Sequence, residues 1–582
     1  MKNDIQPKLP PMLRQKSANG QYYYVYTGEA VWNPQKKRSE IKNKTSIGRL
    51  SGDRVIFSSR YLEKHPELVG VDVRHMGKGY HIVSVPRAEG EVIDLQKVCA
   101  KNYGASYAFT QIAKSIGLIE DLQAAFPERA NEILACAYLI LLYPDLNACN
   151  FDIEQGHTDL PTELPLTSQF LSNFFDELSR DRQAIMEFFK LRSNFVFEQN
   201  KGQATYLAFD STSVSTASKE NDLAAYGKNK DGDVLPQVNI ALLSDQASGM
   251  PIYYRLLNGS VVDVVTLTNL FRDASQLDLE DFHIVLDRGY YSEANIDMML
   301  GIGVNFVIGV QTRLNFVKSA MLNAAQKMWR IDRKSMIENG DEEYLYTYTQ
   351  ELTWGFKGVN GSKGDAPVYV HLYANNERAA ELQTIFSHKL NMIEQKQLAY
   401  EAANQGLKDG QEDVRFKLSK DEWNFLNEYF TRNEKTGTWE DNYLAQSRNS
   451  DTFGVFCLVS NDIKNAKEAL EIYHDRDMVE RDFKDLKQRL NAKRPHVQSS
   501  EAMMGKTFVQ FIALTIRMVM HHRVALKNRK KTLKYNSITR LINSLNALNL
   551  VSYANQYRCV QEVTKTQRTY YELIDVAPPT NG

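Results

Sequence analysis

Three acidic side chains stand where an α/β fold performs chemistry. Asp210 follows the apolar run TYLAF and Asp287 follows FHIVL, so each is read as ending a strand. Open α/β sheets hold their ligands at those carboxyl ends. The third acid, Glu480, belongs to a set. Tyr473, Arg476, Glu480 and Lys487 lie at offsets 0, 3, 7 and 14 within YHDRDMVERDFKDLK. At about 100° per residue they fall near 0°, 300°, 340° and 320° on a helical wheel, a stripe roughly 60° wide. Ile472, Val479, Phe483, Leu486 and Leu490 occupy the adjoining arc, giving the helix an apolar packing face with the polar quartet on its rim.

Converging carboxylates suit phosphodiester chemistry. Water or a 3′-hydroxyl is a weak nucleophile at neutral pH, and the pentavalent transition state gathers negative charge. Two Mg²⁺ ions about 4 Å apart answer both needs. Mg²⁺ takes oxygen ligands and keeps waters, so a few Asp or Glu suffice; without metal, three such acids repel one another. Ordinary readings stand beside these. A carboxylate is a common way to finish a strand, and i,i+3 and i,i+4 charge pairs often decorate a surface helix. His474, His521 and His522 lack zinc-site spacing, and Gly301 and Gly303 lack the strand–glycine–helix context of a dinucleotide site. Trp439 fits core or hairpin packing better than stacking on an unpaired base.

The elements that must position these acids follow from the pattern. From Ala204, three strand-like runs (TYLAFDST, VNIALLSD, MPIYYRLL) precede a helical segment, then strand FHIVLDRG, helix SEANIDMML and strand NFVIGV. The order β-β-β-α-β-α-β predicts an α/β, ribonuclease-H-like core over 201–312 that still needs a helix. Residues 313–452 are mixed and charged, and read as an inserted domain. Strand GVFCLVS and one long helix from about 465 to 490 complete the core over 453–500. Alternating aromatic and polar residues make 1–100 a β-rich domain, and 101–200 read as a helical domain. The basic region 501–582 reads as helices.

The chain of 582 residues is 43% hydrophobic and 24% charged, which excludes wholesale disorder and implies several domains. With 70 Lys and Arg against 71 Asp and Glu, a nucleic-acid partner has to be held by local basic patches. Residues 1–50 carry ten basic and three acidic side chains, and 484–534 carry thirteen and two. Such runs are often just solvated surface. Five cysteines without CxxC spacing fit a reducing compartment. No uninterrupted apolar run reaches membrane-spanning length, and the first residues lack a signal-peptide core. A cytoplasmic, nucleoid-associated protein is expected.

Tyr-x2-Arg-x3-Glu-x6-Lys is the YREK signature, and with it the sequence resembles the cut-and-paste DDE transposases of the IS-four insertion-sequence superfamily. Asp210-Ser-Thr-Ser is similar to that family's first catalytic block, Asp287-Arg-Gly-Tyr-Tyr-Ser to the second, and Tyr473 to Lys487 to the third. YGKNKDGDVLPQVNIALLSDQASGMPIYYRLLNGS resembles the stretch between the first two. The resemblance implies that Asp210 bridges two Mg²⁺ ions, which Mn²⁺ can replace, with Asp287 and Glu480 binding one each. It implies that Tyr473, Arg476, Lys487 and Arg288 contact DNA near the cleaved end. It further implies double-stranded DNA partners (terminal inverted repeats and target), a homodimer in the synaptic complex, and DNA recognition by the N-terminal domains. A catalytically silent DNA-binding descendant and a nuclease without strand joining are the competing expectations. A glycosidase suits the basic surroundings of Glu480 poorly.

Overall fold

The computed structural model describes the chain except residues 1–7, 18–22, 85–97, 228–231, 233, 262, 275, 278, 280, 325–335, 339–343, 359–360, 362, 405–416, 437, 491, 493–496, 498, 529–536, 554–556 and 582. Two compact units emerge, 1–97 and 98–582.

The first unit is a six-stranded antiparallel sheet in sequential order. Its strands are β1 (Leu13–Lys16), β2 (Tyr23–Asn33), β3 (Arg38–Ser51), β4 (Arg54–Phe57), β5 (Asp72–Met76) and β6 (Gly79–Ser84), with one turn of helix, α1 (Ser59–Leu62). Val25, Ile47, Leu50, Val55 and Val73 form its core with Tyr61.

The second unit starts at β7 (Val98–Asn102) and continues through six helices: α2 (Gly104–Ser115), α3 (Leu118–Ala125), α4 (Ala130–Leu142), α5 (Phe151–His157), α6 (Ser168–Arg180) and α7 (Arg182–Gln199). A nine-stranded sheet comes next. Its first five strands are β8 (Thr205–Ser215), β9 (Gln237–Asp245), β10 (Met250–Asn258), β11 (Phe282–Leu286) and β12 (Asn305–Val310), with α8 (Asp263–Ala274) and α9 (Glu293–Gly301) in the two crossovers. The Ser292 side chain caps α9 by accepting from the Asn295 N–H. β8 pairs antiparallel with β9 on one side and parallel with β11 on the other, and β12 continues the parallel part. Strands in that position are buried on both faces, which is why VLDRG and NFVIGV open on near-continuous apolar runs.

Residues 313–452 differ from a self-contained insertion. After α10 (Asn315–Ala324), strands β13 (Met336–Glu338), β14 (Tyr344–Lys357) and β15 (Lys363–Ala374) join the same sheet, which runs β10-β9-β8-β11-β12-β18-β15-β14-β13 with β18 (Val455–Ser460). The alternation in β15 explains this: Val368, Val370 and Leu372 point into the main core, and Tyr373 into the cluster on the other face. Between β15 and β18 lie α11 (Asn376–Asn404), α12 (Lys420–Tyr429), a short hairpin of β16 (Phe430–Arg432) with β17 (Trp439–Asp441), and α13 (Tyr443–Ser450). Trp439 is in this hairpin, its ring centroid 5.8 Å from that of Trp423 and packed on the local Phe386–Phe425–Tyr429 cluster. The hairpin and core alternative for this residue is therefore the one observed.

The expected single late helix is two: α14 (Ala466–Asp475), capped by the Asn465 side chain, and α15 (Asp477–Arg489), with Arg476 at the joint. The break has a packing cause. Leu470 and Ile472 of α14 join Val285, Val307 and Leu458 in a small cluster on one sheet face, whereas Val479, Phe483 and Leu486 of α15 belong to the main core. One straight helix cannot serve both.

The tail also departs from a purely helical reading. α16 (Ser500–Asn528) and α17 (Ile538–Asn546) are followed by β19 (Asn549–Tyr553), β20 (Tyr557–Val560) and α18 (Lys565–Leu573). β19 pairs with both β20 and β7, tying the tail to the start of the unit. Ser500–Lys527 is long and apolar enough to cross a membrane, yet 94% of its most apolar window is buried in the protein, and α16 packs on α4 and α6. The basic run from Arg529 onward lies outside the described residues.

Candidate active site

Sheet register brings the first two acids together. β11 pairs with β8 in parallel up to Leu286 opposite Phe209, so the next residues along the two chains are Asp287 and Asp210. Adjacent strands lie roughly 4.8 Å apart, and in-register residues share a face. Asp210 does not end its strand, as the sequence reading expected. β8 runs on to Ser215 because its antiparallel partner β9 continues to Gln237; only the parallel neighbour stops. The acid thus stands mid-strand at the exposed end of the neighbouring one.

Both carboxylates are held by neighbours. The Ser211 N–H donates to Asp210 Oδ1 at 2.7 Å, and the buried Tyr290 hydroxyl donates to the same oxygen at 3.3 Å. Tyr290 is fixed in turn by the Asn295 side-chain amide, which donates to its carbonyl. The Tyr473 hydroxyl donates to Asp287 Oδ1 at 3.0 Å. Burial pushes the Tyr473 phenol far above its usual range, and the Asp287 carboxylate adds to the shift, so the proton stays on the tyrosine. Gly309 of β12 makes room for this contact. A Cβ there would meet the Tyr473 hydroxyl at 2.8 Å and the Arg288 N–H nitrogen at 3.2 Å. Sequence reasoning missed Tyr290 and Gly309. The available signals were the tyrosine in DRGYY and a glycine inside a strand, which marks close approach of another group.

Arg476 occupies the centre. Its side chain is only 7% exposed and stands 3.6 Å from a Glu480 oxygen and 3.8 Å from one of Asp477, with the guanidinium carbon 5.1 Å from the centre of the Tyr473 ring. Burial alone would lower its pKa, but Tyr473, Asp287, Asp210 and Glu480 outweigh burial and raise it. Glu480 meets this guanidinium directly, and Asp287 is linked to it through Tyr473.

Glu480 is nearby without being gathered in: its side chain is 64% exposed and directed at Arg476. Among the described residues, no three His, Cys, Asp or Glu side chains are grouped closely enough to hold a metal ion. Oxygen-only donors at two adjacent strands still suit a hard divalent cation. Of the other expected DNA contacts, Arg288 is exposed and Lys487 half-buried.

α15 is anchored on either side of this site. Asp482 is buried, accepts from the Ser244 hydroxyl at 2.8 Å, and has its carboxyl pushed up to about 7 by burial, partly offset by that bond. Asp485 takes Arg517 at 2.7 Å and His521 at 2.8 Å from α16. His521, weighed as a zinc ligand, thus serves as a helix-to-helix anchor.

These acids fall inside a known domain. Residues 201–516, more than half of the chain, match the family model of the transposase DDE domain. The chain belongs to this family. Asp210, Asp287 and Glu480 all lie within the matched segment, and the unit 1–97 lies outside it. Members of the DDE transposase family generally use divalent metal ions. No curated protein matches the chain. Among solved structures, a cryo-EM structure of a piggyBac transposase synaptic complex with hairpin DNA is similar over 76% of this chain and 70% of that one, at 10% identity and a TM-score of 0.31. That likeness is too slight to bear on fold or mechanism.

Proposed function

We propose that this DDE transposase works by cut and paste, cleaving strands at the ends of its element and joining them to target DNA, with Asp210, Asp287 and Glu480 as the acids of one active site. The observation that carries the reading is the register of β8 and β11, which sets two acids side by side, with Tyr473 bonded to Asp287 and Arg476 next to it 3.6 Å from Glu480. The strand order β10-β9-β8-β11-β12 supports a ribonuclease-H-like core, with the material between β12 and β18 inserted into it. The YREK spacing supports the IS-four superfamily as the subfamily.

Asp210, Asp287 and Glu480 would hold two Mg²⁺ ions, or Mn²⁺ in their place. Bound there, the ions supply activation of the nucleophile and neutralisation of charge on the phosphodiester. The protein's own groups prepare the acids. Tyr290 and the Ser211 N–H fix Asp210, and Tyr473 fixes Asp287 while keeping its own proton. Arg288 and Lys487 offer cations to phosphates, a contact that positions DNA without reading sequence. Tyr473 and Arg476 lie beside Asp287 and Glu480, where they would meet phosphates near the cleaved end.

The partners are double-stranded DNA, as terminal repeats and target, and a second copy of the chain, because two ends must be processed together. The reading places the protein in the cytoplasm at the nucleoid.

Purified protein with Mg²⁺ and DNA carrying the repeats that flank its gene should yield 3′-hydroxyl ends and joined products. Cleavage without joining would make it a nuclease. Binding without cleavage would make it a silent descendant.

A further inference from the structure

We infer that the free end of the β2–β3 hairpin is a DNA-reading ribbon: it lies in the major groove with its Trp32 face on the base edges and the cations of its turn on flanking phosphates. The inference rests on the reading of element-end DNA as the partner. It names the surface that meets that DNA, a task the resemblance gives only to the N-terminal domains as a whole.

The hairpin outgrows its sheet. β1 pairs with β2 only over Tyr23–Tyr26, and β4 pairs with β3 only over Gly48–Ser51. Among the described residues, the two strands from Glu29 to Lys42 pair only with each other. All residues from 29 to 42 are exposed except Asn33, Glu40 and Ile41, which are half-buried. The core of the unit, with Val25, Ile47 and Leu50, lies at the other end of the hairpin. Such an arm leaves two strand edges unpaired and buries little, so folding alone gives no reason to extend it. Its turn is nonetheless shaped: the Asn33 side chain accepts from the Gln35 and Lys36 N–H groups at 3.0 and 3.2 Å.

The two faces of the arm differ in kind. Register and alternation put Ala30, Trp32, Ser39 and Ile41 on one face, and Glu29, Val31, Glu40 and Lys42 on the other. The first face bears no charge, and its tryptophan is 60% exposed. Turned toward a duplex, the second face would bring two carboxylates against the phosphates, so the first is the one that fits. At the turn, Lys36 and Arg38 stand 2.8 and 3.8 Å from Glu40. The adjacent Lys37 is exposed and makes no ion pair among the described residues. Three cations against one acid leave the turn positive, as a phosphate contact requires.

Groove dimensions choose between the two sides of the duplex. A two-stranded ribbon enters the major groove, about 12 Å wide, and is too broad for the minor groove at about 6 Å. An apolar face in the major groove meets thymine methyl groups, a contact that depends on sequence. The arm thus separates reading, by Trp32, from holding, by its turn.

Binding of the full-length protein to duplexes, without divalent metal and at several salt concentrations, tests this division by fluorescence anisotropy. One duplex carries the repeats that flank the gene, and the other is unrelated and of equal length. Trp32→Ala should weaken binding to the repeats about ten-fold, with the unrelated duplex and the Tm unchanged. Lys36→Ala with Lys37→Ala should weaken both duplexes alike and reduce the salt slope by about two units. Methylating guanine N7 in the repeats, which obstructs the major groove, should weaken the unaltered protein more than Trp32→Ala.

An equal loss on both duplexes in Trp32→Ala would put the tryptophan on the DNA backbone and overturn the inference. A lowered Tm would do the same, because Trp32 would then belong to the packing of the unit. Unchanged binding in either variant, or equal sensitivity to N7 methylation, also overturns it. If Trp32→Ala loses self-association instead, the ribbon belongs to a second copy of the chain. Should the unaltered protein fail to prefer the repeats, the reading of element-end DNA as the partner falls first. Should it prefer them while the variants match it, only the inference falls.

Discussion

Arg192 in α7 and Arg476 between α14 and α15 are both buried, and burial acts on them with opposite results. Arg192 meets a single acid, Asp121, at 2.6 Å and donates to the Ile116 carbonyl at 2.7 Å. Burial pushes both partners toward neutrality, Asp121 upward and Arg192 downward, each against the attraction of the other. Arg476 is held at longer range by several acids and ends with its pKa raised. The first is a tight structural pair in which desolvation outweighs attraction. The second lies in a field with more negative charge than it can match. A helical scaffold needs the former; the latter goes with acids left unpaired around a candidate active site.

The sharpest way to break this contrast is Asp121→Ala. It leaves Arg192 buried and uncompensated, and should cost about 3–5 kcal/mol in denaturant unfolding, with DNA cleavage intact in the folded fraction. A loss below about 1 kcal/mol would remove Arg192 from the structural side of the comparison.

Gly309→Ala tests the other side. The new methyl must displace the Tyr473 hydroxyl, and a misplacement of this kind should slow DNA cleavage about 10–100-fold for a stability loss of about 1–3 kcal/mol. Unchanged cleavage would show that the Tyr473–Asp287 bond does not matter.

His371 of β15 is a third buried base, lying between Thr349, Ser460 and the Ile463 carbonyl. Burial lowers its pKa to about 4, although the Ile463 carbonyl works against the shift. The unfolded chain takes up a proton near pH 6.5 and the folded one does not. Stability present above that value is therefore lost as pH falls from about 6.5 through 4. His371→Gln should remove roughly 2 kcal/mol of the difference between unfolding at about pH 7 and about pH 4.5. An unchanged pH slope would mean that His371 takes up its proton in the fold as readily as in the unfolded chain.

The smallest effect belongs to Lys487→Ala. It should weaken end binding by a few fold and reduce the salt dependence of binding by about one unit of slope. An unaltered slope would take Lys487 off the DNA path.

Much of the site was legible because strand chemistry is local. AFDSTS and VLDRG announce acids beside apolar runs, and the YREK spacing marks the helix that brings the third. Register, however, is a tertiary property. Nothing within β8 says that it continues five residues past Asp210, since its partner β9 decides that. The wheel treated 465–490 as one cylinder and put Arg476 on the rim of its apolar face. Two separate packing clusters broke the helix there and turned that arginine inward. Strands β13–β15 were hidden for a similar reason. Their pattern shows half-buried strands, and only long-range pairing with β18 makes them part of the same sheet.

Single-turnover cleavage of element-end DNA by Glu480→Gln in Mg²⁺ tests the central claim most directly. Glu480 is the acid farthest in sequence from the others and the one whose exposed position leaves most to be shown. One shared site predicts cleavage reduced by at least about 10³-fold with end binding preserved. Cleavage at the normal rate would contradict it.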